Sequence, residues 1–472
     1  MLMMHDEGER TPEAGPTVAV VGAGAGGILT AVNLLLRAEV QGRPCTVLLI
    51  DPTVGDAPGP AYRTTDSRHL LNTAAGRMGL TPSDFPDWLS ARGYEDVHGY
   101  PARRLYGQYL LDLLAGTAAR CDSARLRAVP DRITRIGAGQ GGGDVLALHG
   151  AGGRTLYADA VVLAVGGLPP DRSWAPRNLR SSTRFVPDPW APGALDRMAA
   201  PDTDLLLVGT GLTMADVALT LARPGRVLHA VSRHGLIPQS HTTRPAPPVT
   251  PPELDGPHTL DALRRSVLRH VAATRRVHGD WRPALDSLRA VTAGLWQGLS
   301  PADRSRFLSE DLRRWETHRH RLAPASAAAL ERLREEGLLE VSAGQVARTD
   351  PDGDGVRVGL RDGREFRVGA VVNCTGPETS VAASGDPLLT DLMARGLARP
   401  GPCGLGLDTD PDGRLRPGTR QTGPGEAAPL WTLGALRRGN LFETTAVPEI
   451  RTQAEGVAKA VLGIQSRLGA RL

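Results

Sequence analysis

The N-terminal part of the chain alternates between an apolar run and a helical pattern. The run "TVAVVGAG" begins at Thr17, is rich in β-branched residues, and stops at glycines. The segment "GGILTAVNLLLRAE" follows with apolar residues at helical spacing, and a second apolar run, "CTVLLID", ends at Asp51. Continuous apolar runs bounded by glycine are typical of strands buried in a parallel sheet. This pattern predicts a β-α-β unit.

The same pattern occurs again after residue 200. "TDLLLVGTGLTMADVALTLA" is followed by "GRVLHAVSRHG", which predicts a second β-α-β unit. Two further apolar runs, "YADAVVLAVGGLPP" and "RVGAVVNCTGPE", each end in glycine and proline. We therefore expect an α/β protein with two dinucleotide-binding (Rossmann-type) domains, each completed by a later strand that ends at a glycine.

Three other segments differ from these units. Residues 1–16 are polar and are expected to be disordered, whereas residues 258–338 carry helical patterns throughout. Residues 244–256 are rich in proline and indicate a linker or an extended lid.

The first unit contains the fingerprint Gly22-Ala23-Gly24-Ala-Gly-Gly27. In such a turn the first glycine allows the tight bend, the second lets the backbone approach a pyrophosphate, and the third lets helix and strand pack closely. Asp51 ends the next predicted strand, 24 residues after Gly27, where an acid binds a ribose hydroxyl. Cofactor binding by Gly22, Ala23, Gly24, Gly27 and Asp51 is the prediction. A glycine-rich turn without a ligand is the alternative.

The second fingerprint reads Gly209-Thr210-Gly211-Leu-Thr213-Met214. Met214 replaces the third glycine, so we expect its helix to lie further from its strand. Gly209, Thr210, Gly211 and Thr213 are predicted to bind a nucleotide.

The second unit has no acid at the end of its next strand. Ser232 and Arg233 take that place, and a basic residue there suits the 2′-phosphate of NADPH. NADH, or a degenerate unit that binds no nucleotide, are the alternatives.

Two dinucleotide units imply two dinucleotides, with FAD held in the first and a transient nicotinamide nucleotide in the second. Gly166 and Gly376, which end the two later strands, are further candidate cofactor residues. A helix predicted to start near Pro448 could direct its N-terminus at the flavin, where it would stabilise negative charge. It could equally be an ordinary C-terminal helix.

Composition narrows the possible functions. The 472 residues carry a net charge of +4 with scattered arginines, which does not indicate nucleic-acid binding. Lys459 is the single lysine, and the 4 cysteines are too far apart for a CxxC pair, a zinc site or a flavin–disulfide reductase. The polar N-terminus does not resemble a signal peptide, and the apolar segment 18–36 fits a dinucleotide unit better than a membrane span. We expect a cytoplasmic protein with no metal site.

Several blocks, in one order from Val18 onward, resemble a bacterial FAD/NAD(P)-binding protein family. It is related to flavin monooxygenases and includes N-hydroxylases that act on amino acids. The blocks are "GPAYRTTDSRHLLNTAAGRMGLTPSDFPDWL", "YPARRLYGQYL", "VGTGLTMADVALTL", "SRHGLIPQSH", "WRPALDSLR", "WETHRHRLAP" and "LRRGNLFETTAVPEIRTQA".

The resemblance implies an NAD(P) domain inserted in a discontinuous FAD domain. We place the first part of the FAD domain at 17–175 and the NAD(P) domain, with its helical insertion 258–338, at 176–355. The second part of the FAD domain is then 356–472.

The resemblance also bears on "HLLNTAAGRM". Related flavin monooxygenases carry an Asn, a Met six positions later and then Asp-Phe-Pro, which here are Asn72, Met78 and residues 84–86. It implies that Asn72 contacts the flavin or its hydroperoxide; an amide can donate and accept hydrogen bonds without titrating. An Asn that caps a turn is the alternative. Arg77 could bind a carboxylate or phosphate, or form a surface ion pair.

The resemblance implies a single-component monooxygenase that uses FAD and NADPH (or NADH) and molecular oxygen. It would hydroxylate the nitrogen of a small amine or amino acid through a flavin hydroperoxide, with Asn72, Arg77 and Met78 as candidate catalytic residues. One alternative is a reductase that passes electrons to another acceptor without activating oxygen. A non-catalytic flavin-binding protein is the other. The oligomeric state stays open.

Overall fold

The computed structural model describes residues 15–56, 58–139, 145–199, 202–253, 259–418 and 428–468. All but the last two residues of the N-terminal segment 1–16, for which disorder is predicted, lie outside this range. So do residues 254–256 of the proline-rich segment.

The strands and helices alternate along much of the chain. The strands are β1 Thr17–Val21, β2 Cys45–Ile50, β3 Ala124–Val129, β4 Ile133–Ala138, β5 Leu146–Gly150, β6 Thr155–Ala158, β7 Ala160–Leu163, β8 Phe185–Val186, β9 Leu205–Val208, β10 Leu228–Ser232, β11 Leu339–Ala343, β12 Val346–Asp352, β13 Gly355–Leu360, β14 Glu365–Val368, β15 Ala370–Asn373 and β16 Leu430–Thr432. The helices are α1 Ala25–Gln41, α2 Asp84–Ser90, α3 Arg103–Ala119, α4 Arg177–Arg180, α5 Ala194–Ala199, α6 Leu212–Leu221, α7 Leu260–His278, α8 Arg282–Ser287, α9 Thr292–Gly298, α10 Pro301–Glu310, α11 Leu312–Arg319, α12 Pro324–Glu335, α13 Pro387–Ala394, α14 Arg438–Leu441 and α15 Val447–Leu468. Short 3-10 turns lie at Ala75–Arg77, Leu288–Ala290, Pro402–Gly404 and Gly434–Arg437.

The chain divides into two units. The first takes in the described residues up to Thr65, Thr73–Leu168, and those from Thr379 onward. The second consists of Asp66–Asn72 and Pro169–Glu378. The second unit is thus inserted in a discontinuous first unit, which confirms the predicted fold class.

The first unit is built on a parallel sheet with strand order β16-β7-β1-β2-β3. Its central strands are apolar along their length, because helices cover a parallel sheet on both faces. Helix α1 is almost entirely apolar up to Leu36 and contacts α3 and α15. It ends at Gly42, whose left-handed backbone (φ 60°) lets its N–H reach the carbonyl of Glu39.

The second unit repeats this design. Its parallel sheet has the order β11-β10-β9-β15-β8. The second unit also contains the three-stranded antiparallel sheet β12-β13-β14. The first unit has a matching antiparallel sheet, β4-β5-β6.

The division of the chain corrects the predicted domain boundaries. The boundary placed at 355/356 lies at 378/379. Strand β15 pairs with β9 in the second sheet, and β13, which comes before β15 in the chain, belongs to the same unit. Gly376, which follows β15, therefore belongs to the second unit and not to the second part of the FAD domain. The boundary placed at 175/176 lies at 168/169.

Helices α7 to α12 occupy the segment for which a helical insertion is predicted, and they belong to the second unit. Helix α7 begins after Thr259, whose side chain accepts a hydrogen bond from the N–H of Ala262, and ends at Gly279 with φ 69°. Among the described residues, no helix is apolar over a stretch long enough to span a bilayer.

Residues 66–72 are fixed to the second unit by polar side chains. The Thr220 hydroxyl, on α6, donates to a carboxylate oxygen of Asp66 at 2.9 Å and lies 2.9 Å from Nε2 of His69. Burial opposes the charged form of Asp66, but hydrogen bonds from Arg68 and Thr220 outweigh it and lower the pKa of this carboxyl. The buried His69 ring also meets Trp190 edge-on, with centroids 5.6 Å apart. These contacts explain why a segment from the middle of the first unit's sequence joins the second.

His241 holds the end of the same segment. Its Nε2 lies 3.0 Å from the backbone carbonyl of Asn72, which can only accept, so a proton on Nε2 makes this a hydrogen bond. Burial, and then the positive charge of Arg321, lowers the pKa of His241 to about 4. His241 is therefore neutral at pH 7.

Gly27→Ala is expected to destabilise the first unit. A Cβ at this position would lie far closer than 3.0 Å to the carbonyl oxygen of Gly22, which is backbone and cannot move aside. Overpacking of this kind costs about 1–3 kcal/mol. The matched control is Gly26→Ala, whose Cβ would first meet the Leu433 side chain at 3.5 Å, an ordinary contact. Urea unfolding should show a lower midpoint for Gly27→Ala alone; equal midpoints would contradict the proposed backbone contact.

His241 is expected to make stability depend on pH. Its folded pKa lies below the ordinary value of 6.5, so the unfolded chain binds the proton first as the pH falls. Stability from neutral His241 is fully present above pH 6.5 and is lost toward pH 4. Between pH 7 and pH 5 the wild-type chain should lose on the order of 1 kcal/mol more unfolding free energy than His241→Gln, which keeps a donor but does not titrate. Parallel losses in the two proteins would disprove this role.

Candidate functional site

The turn after β1 brings the start of α1 over the edge of the first sheet. Gly22 has φ 108°, and a Cβ there would collide with the carbonyl oxygen of Ala164, the residue after β7. Its N–H donates to the carbonyl of Ile50, at the end of β2, at 2.7 Å. Only glycine fits both the backbone conformation and the space, so the turn is fixed by the strands on either side.

The N-terminus of α1 is open to an anion. Gly24 is the N-cap residue, no side chain caps the helix, and its first turn contains no acidic residue. By contrast, Thr259, Ser300 and Asp386 cap α7, α10 and α13 with their side chains. The uncapped N–H groups of α1, and the positive end of its dipole, suit a phosphate group.

Asp51 follows β2 and folds back on the glycine turn. One carboxylate oxygen accepts a hydrogen bond from the N–H of Ala23 at 3.0 Å. The other accepts from the N–H and the hydroxyl of Thr53, both at 2.8 Å. Asp51 therefore stabilises the turn itself, besides its predicted role at a ribose.

Near the start of α15, the first unit holds further features that fit a bound cofactor. The Thr444 hydroxyl is buried and has no hydrogen-bond partner among the described residues, so it does not cap α15. Phe442 has φ 65°, a conformation that is strained for an aromatic residue and is found most often at functional sites. Pro448 is the second residue of α15, and Gly166 lies two residues after Ala164. An unpaired buried hydroxyl, a strained backbone and the uncapped N-terminus of α1 suit FAD in this unit.

The second turn has the same geometry as the first. Gly209 has φ 107°, and a Cβ there would collide with the carbonyl oxygen of Cys374, the residue after β15. The N–H of Gly209 donates to the carbonyl of Val231 at 2.8 Å. Gly211 is the N-cap of α6, which has no side-chain cap and no acid in its first turn. Gly376 lies two residues after Cys374, as Gly166 does after Ala164.

Strand register shows which residues of the two units correspond. Val21 pairs with Ile50, and Val208 with Val231, so Ser232 occupies the position of Asp51. Arg233 is the next residue and is exposed. The second unit thus replaces a negative charge by a neutral hydroxyl followed by a positive charge.

Met214 occupies the position of Gly27, because the backbone hydrogen bond from Ala215 to Gly211 matches that from Ile28 to Gly24. Met214 is fully buried in the core of the second unit. A Cβ at Gly27 has no room, whereas Met214 has room for a whole side chain. Helix α6 therefore leaves more space beside its turn than α1 does. Thr213, in its first turn, is half-buried.

A hydrogen-bond network surrounds Thr210 at the second turn. Its hydroxyl lies 2.8 Å from that of Ser232 and donates to the carbonyl of Leu236 at 2.5 Å. Arg313, in α11, donates to the carbonyl of Thr210 at 3.1 Å and to that of Leu236 at 2.6 Å. Arg313 is not among the site residues predicted from the sequence. It lies 102 residues beyond Gly211 in the arginine-rich helical insertion, and no local motif distinguishes it.

The candidate catalytic residues fall in different units. Asn72 is exposed and belongs to the second unit, whereas Arg77 and Met78 belong to the first. Arg77 is exposed at the end of a 3-10 turn, and Met78 is buried. The carbonyl of the neighbouring Gly79 accepts a hydrogen bond from Arg451, on α15, at 2.6 Å.

All four cysteines are free thiols, and two of them are deeply buried. Burial raises the pKa of Cys45 to about 11 and also raises that of Cys374. Both are therefore neutral thiols at pH 7. Within the described ranges, no group of three His, Cys, Asp or Glu side chains is arranged as a metal ion would require.

Comparison with known proteins agrees with this geometry. Residues 19–168 match a protein family described as FAD-NAD(P)-binding. Comparison with curated proteins gives no match.

The fold of the chain is similar to those of solved monooxygenases. L-lysine 6-monooxygenase from Pseudomonas syringae gives a TM-score of 0.64 at 18% identity, over 95% of this chain and 99% of that one. The FAD-bound cadaverine monooxygenase of desferrioxamine biosynthesis from Erwinia amylovora gives 0.59 at 12% identity, over 95% and 94%. A lysine monooxygenase from Nocardia farcinica gives 0.53 at 16% identity, over 93% and 99%.

At these identities the structural similarity establishes the fold. The resemblance stated from the sequence is confirmed at that level: residues 19–168 are similar to FAD-NAD(P)-binding domains, and the chain has the two-domain fold of FAD/NAD(P)-binding flavoprotein monooxygenases.

Proposed function

We propose that the chain is an FAD- and NADPH-dependent monooxygenase that hydroxylates the nitrogen of a small amine or amino acid. The observation that carries the proposal is the pair of uncapped glycine turns whose neighbouring charge differs. Asp51 stands beside the first turn, while Ser232 and Arg233 stand beside the second. One chain thus offers two dinucleotide sites suited to different nucleotides.

The first unit is assigned to FAD. Gly22, Gly24 and Gly27 shape the turn for a pyrophosphate, and Asp51 stands where a ribose hydroxyl is bound. The unpaired Thr444 hydroxyl and the N-terminus of α15 supply polar groups for the flavin ring. Bound FAD, once reduced, supplies two-electron chemistry with oxygen.

The second unit is assigned to NADPH. Thr210 and Gly211 lie at the pyrophosphate end of α6, and Ser232 takes the place of the acid that would repel a 2′-phosphate. Arg233 follows it with a positive charge. This arrangement favours NADPH over NADH.

One consideration argues against a disulfide reductase, and a second supports oxygen transfer to nitrogen. The buried neutral thiols Cys45 and Cys374 do not suit disulfide exchange, which requires a thiolate. The similar solved structures are named as lysine and cadaverine monooxygenases, whose substrates carry a primary amine. In the overall reaction one oxygen atom joins the amine nitrogen and the other leaves as water. NADPH supplies two electrons and one proton, and the solvent supplies a second proton.

The test is a substrate screen with the FAD-loaded protein. Primary amines and amino acids are supplied with NADPH and ¹⁸O₂, and NADPH consumption, hydrogen peroxide and hydroxylated product are measured together. We expect one substrate class to give ¹⁸O-labelled hydroxylamine in near-stoichiometric yield with NADPH. Reduction by NADPH without any labelled product would favour a reductase, and no reduction at all would favour a non-catalytic flavin-binding protein.

Asn72→Ala should uncouple the reaction. The resemblance implies that the Asn72 amide forms hydrogen bonds beside the flavin, at the place where oxygen reacts. Each such bond is worth about 1 kcal/mol or more. Loss of the amide should raise the hydrogen peroxide released per NADPH severalfold while flavin reduction keeps its rate. Ser67→Ala is the matched control, since Ser67 is an exposed polar residue of the same segment. If Asn72→Ala stays as tightly coupled as the control, Asn72 is not part of the site.

A further inference from the structure

Arg313 approaches the second glycine turn from the helical insertion. One of its terminal nitrogens (Nη2) donates to the carbonyl oxygens of Thr210 and Leu236 and lies 3.2 Å from the Thr210 hydroxyl. The other (Nη1) lies 3.9 Å from where a Cβ on Gly211 would stand. The guanidinium is therefore fixed against the turn by backbone acceptors, with its second terminal nitrogen toward the start of α6.

This position is close to the end of β10. The Thr210 hydroxyl links Arg313 on one side to the Ser232 hydroxyl on the other, at 2.8 Å. Ser232 also accepts a hydrogen bond from the N–H of Gly235 at 3.1 Å. Ser232 corresponds to Asp51 of the first unit, so Arg313 lies beside the position at which a dinucleotide unit binds the adenosine ribose.

Two positive charges are brought together there. Burial lowers the pKa of Arg313; Glu316 opposes this effect, and the positive charge of Arg233 adds to it. Placing one arginine near another costs free energy, which a bound anion would recover. Because Nη2 already donates to two carbonyl oxygens, Nη1 is the nitrogen that can donate to a phosphate while Nη2 holds the guanidinium in place.

We propose that Arg313 is a specificity-determining residue that, together with Arg233, binds the 2′-phosphate of NADPH. The inference rests on the proposed function and makes its NADPH assignment more specific. It gives the helical insertion a role in nucleotide choice: α11 supplies a phosphate ligand that the β-α-β unit alone lacks. In the first unit, the position of Ser232 carries an acid, which fits a nucleotide without a 2′-phosphate.

The test is direct binding and does not depend on turnover. Adenosine 2′,5′-bisphosphate and adenosine 5′-monophosphate are titrated into the FAD-loaded, oxidised protein by calorimetry. The two probes differ only in the 2′-phosphate. We expect the wild-type protein to prefer the bisphosphate, and Arg313→Met to lose about tenfold or more of that preference, because charge-assisted hydrogen bonds to one phosphate are removed.

Three further variants separate specificity from structure. Arg314→Met removes the same charge from the adjacent, exposed position of α11 and should keep the wild-type preference. Arg313→Lys keeps the charge but has a single donor nitrogen, which cannot both hold the turn and donate to a phosphate as the guanidinium does, and it should fall between wild type and Arg313→Met. Arg233→Met should lower the preference in the same direction as Arg313→Met.

The outcomes are distinguishable. Weaker binding of the bisphosphate with unchanged 5′-monophosphate affinity supports the proposal. An equal loss for both probes indicates that Arg313 only supports the turn, and overturns it. An unchanged preference in Arg313→Met overturns the inference alone. A wild-type protein without preference overturns both the inference and the NADPH assignment.

Discussion

The close approach of backbone at the two glycine turns is the constraint on which both units depend. At Gly22 and at Gly209 the chain leaves a strand with φ near 107° and passes within contact of a carbonyl on the neighbouring strand. No side chain fits there, and the direction of the following helix is set by the turn. Because Gly24 and Gly211 leave those helices uncapped, their N–H groups remain for a ligand. At both turns the fold thus leaves an uncapped helix N-terminus, which suits an anion.

The differences between the units are as informative as their likeness. The first unit packs α1 so closely that Gly27 admits no Cβ, while the second buries Met214 at the same place. The first places an acid after β2, and the second places a hydroxyl after β10 and an arginine next to it. Both changes leave more room and less negative charge at the second turn. They suit a cofactor that stays bound in the first unit and a nucleotide with a 2′-phosphate that binds and leaves in the second.

Residues 66–72 depart from this simple duplication. They lie within the sequence of the first unit but are fixed to the second by Asp66, His69 and His241. Asn72, which the resemblance associates with the flavin, therefore belongs to the second unit. His241 is neutral at pH 7 because burial and the charge of Arg321 lower its pKa, so its protonation at lower pH would destabilise the folded state.

The sequence allowed the fold and both glycine turns to be predicted because their signals are local. Apolar runs that stop at glycine, and an acid or an arginine one strand later, lie within about 30 residues of each other. The boundary at 378/379 could not be read in this way, since it depends on β15 pairing with β9 across more than 160 residues. Arg313 was missed for the same reason: its contacts with Thr210 and Leu236 are made by folding, and the neighbouring arginines hide it. Asn72 could be named from a resemblance, but its membership of the second unit could not.

The two units are proposed to bind different dinucleotides. Hydrogen exchange of the FAD-loaded protein, with and without NADP⁺, tests it most directly, since exchange slows where a ligand orders the backbone. We expect NADP⁺ to slow exchange in residues 209–216, 232–236 and 312–319 and to leave residues 22–28 unchanged. Slower exchange at 22–28 with no change at 209–216 would contradict it.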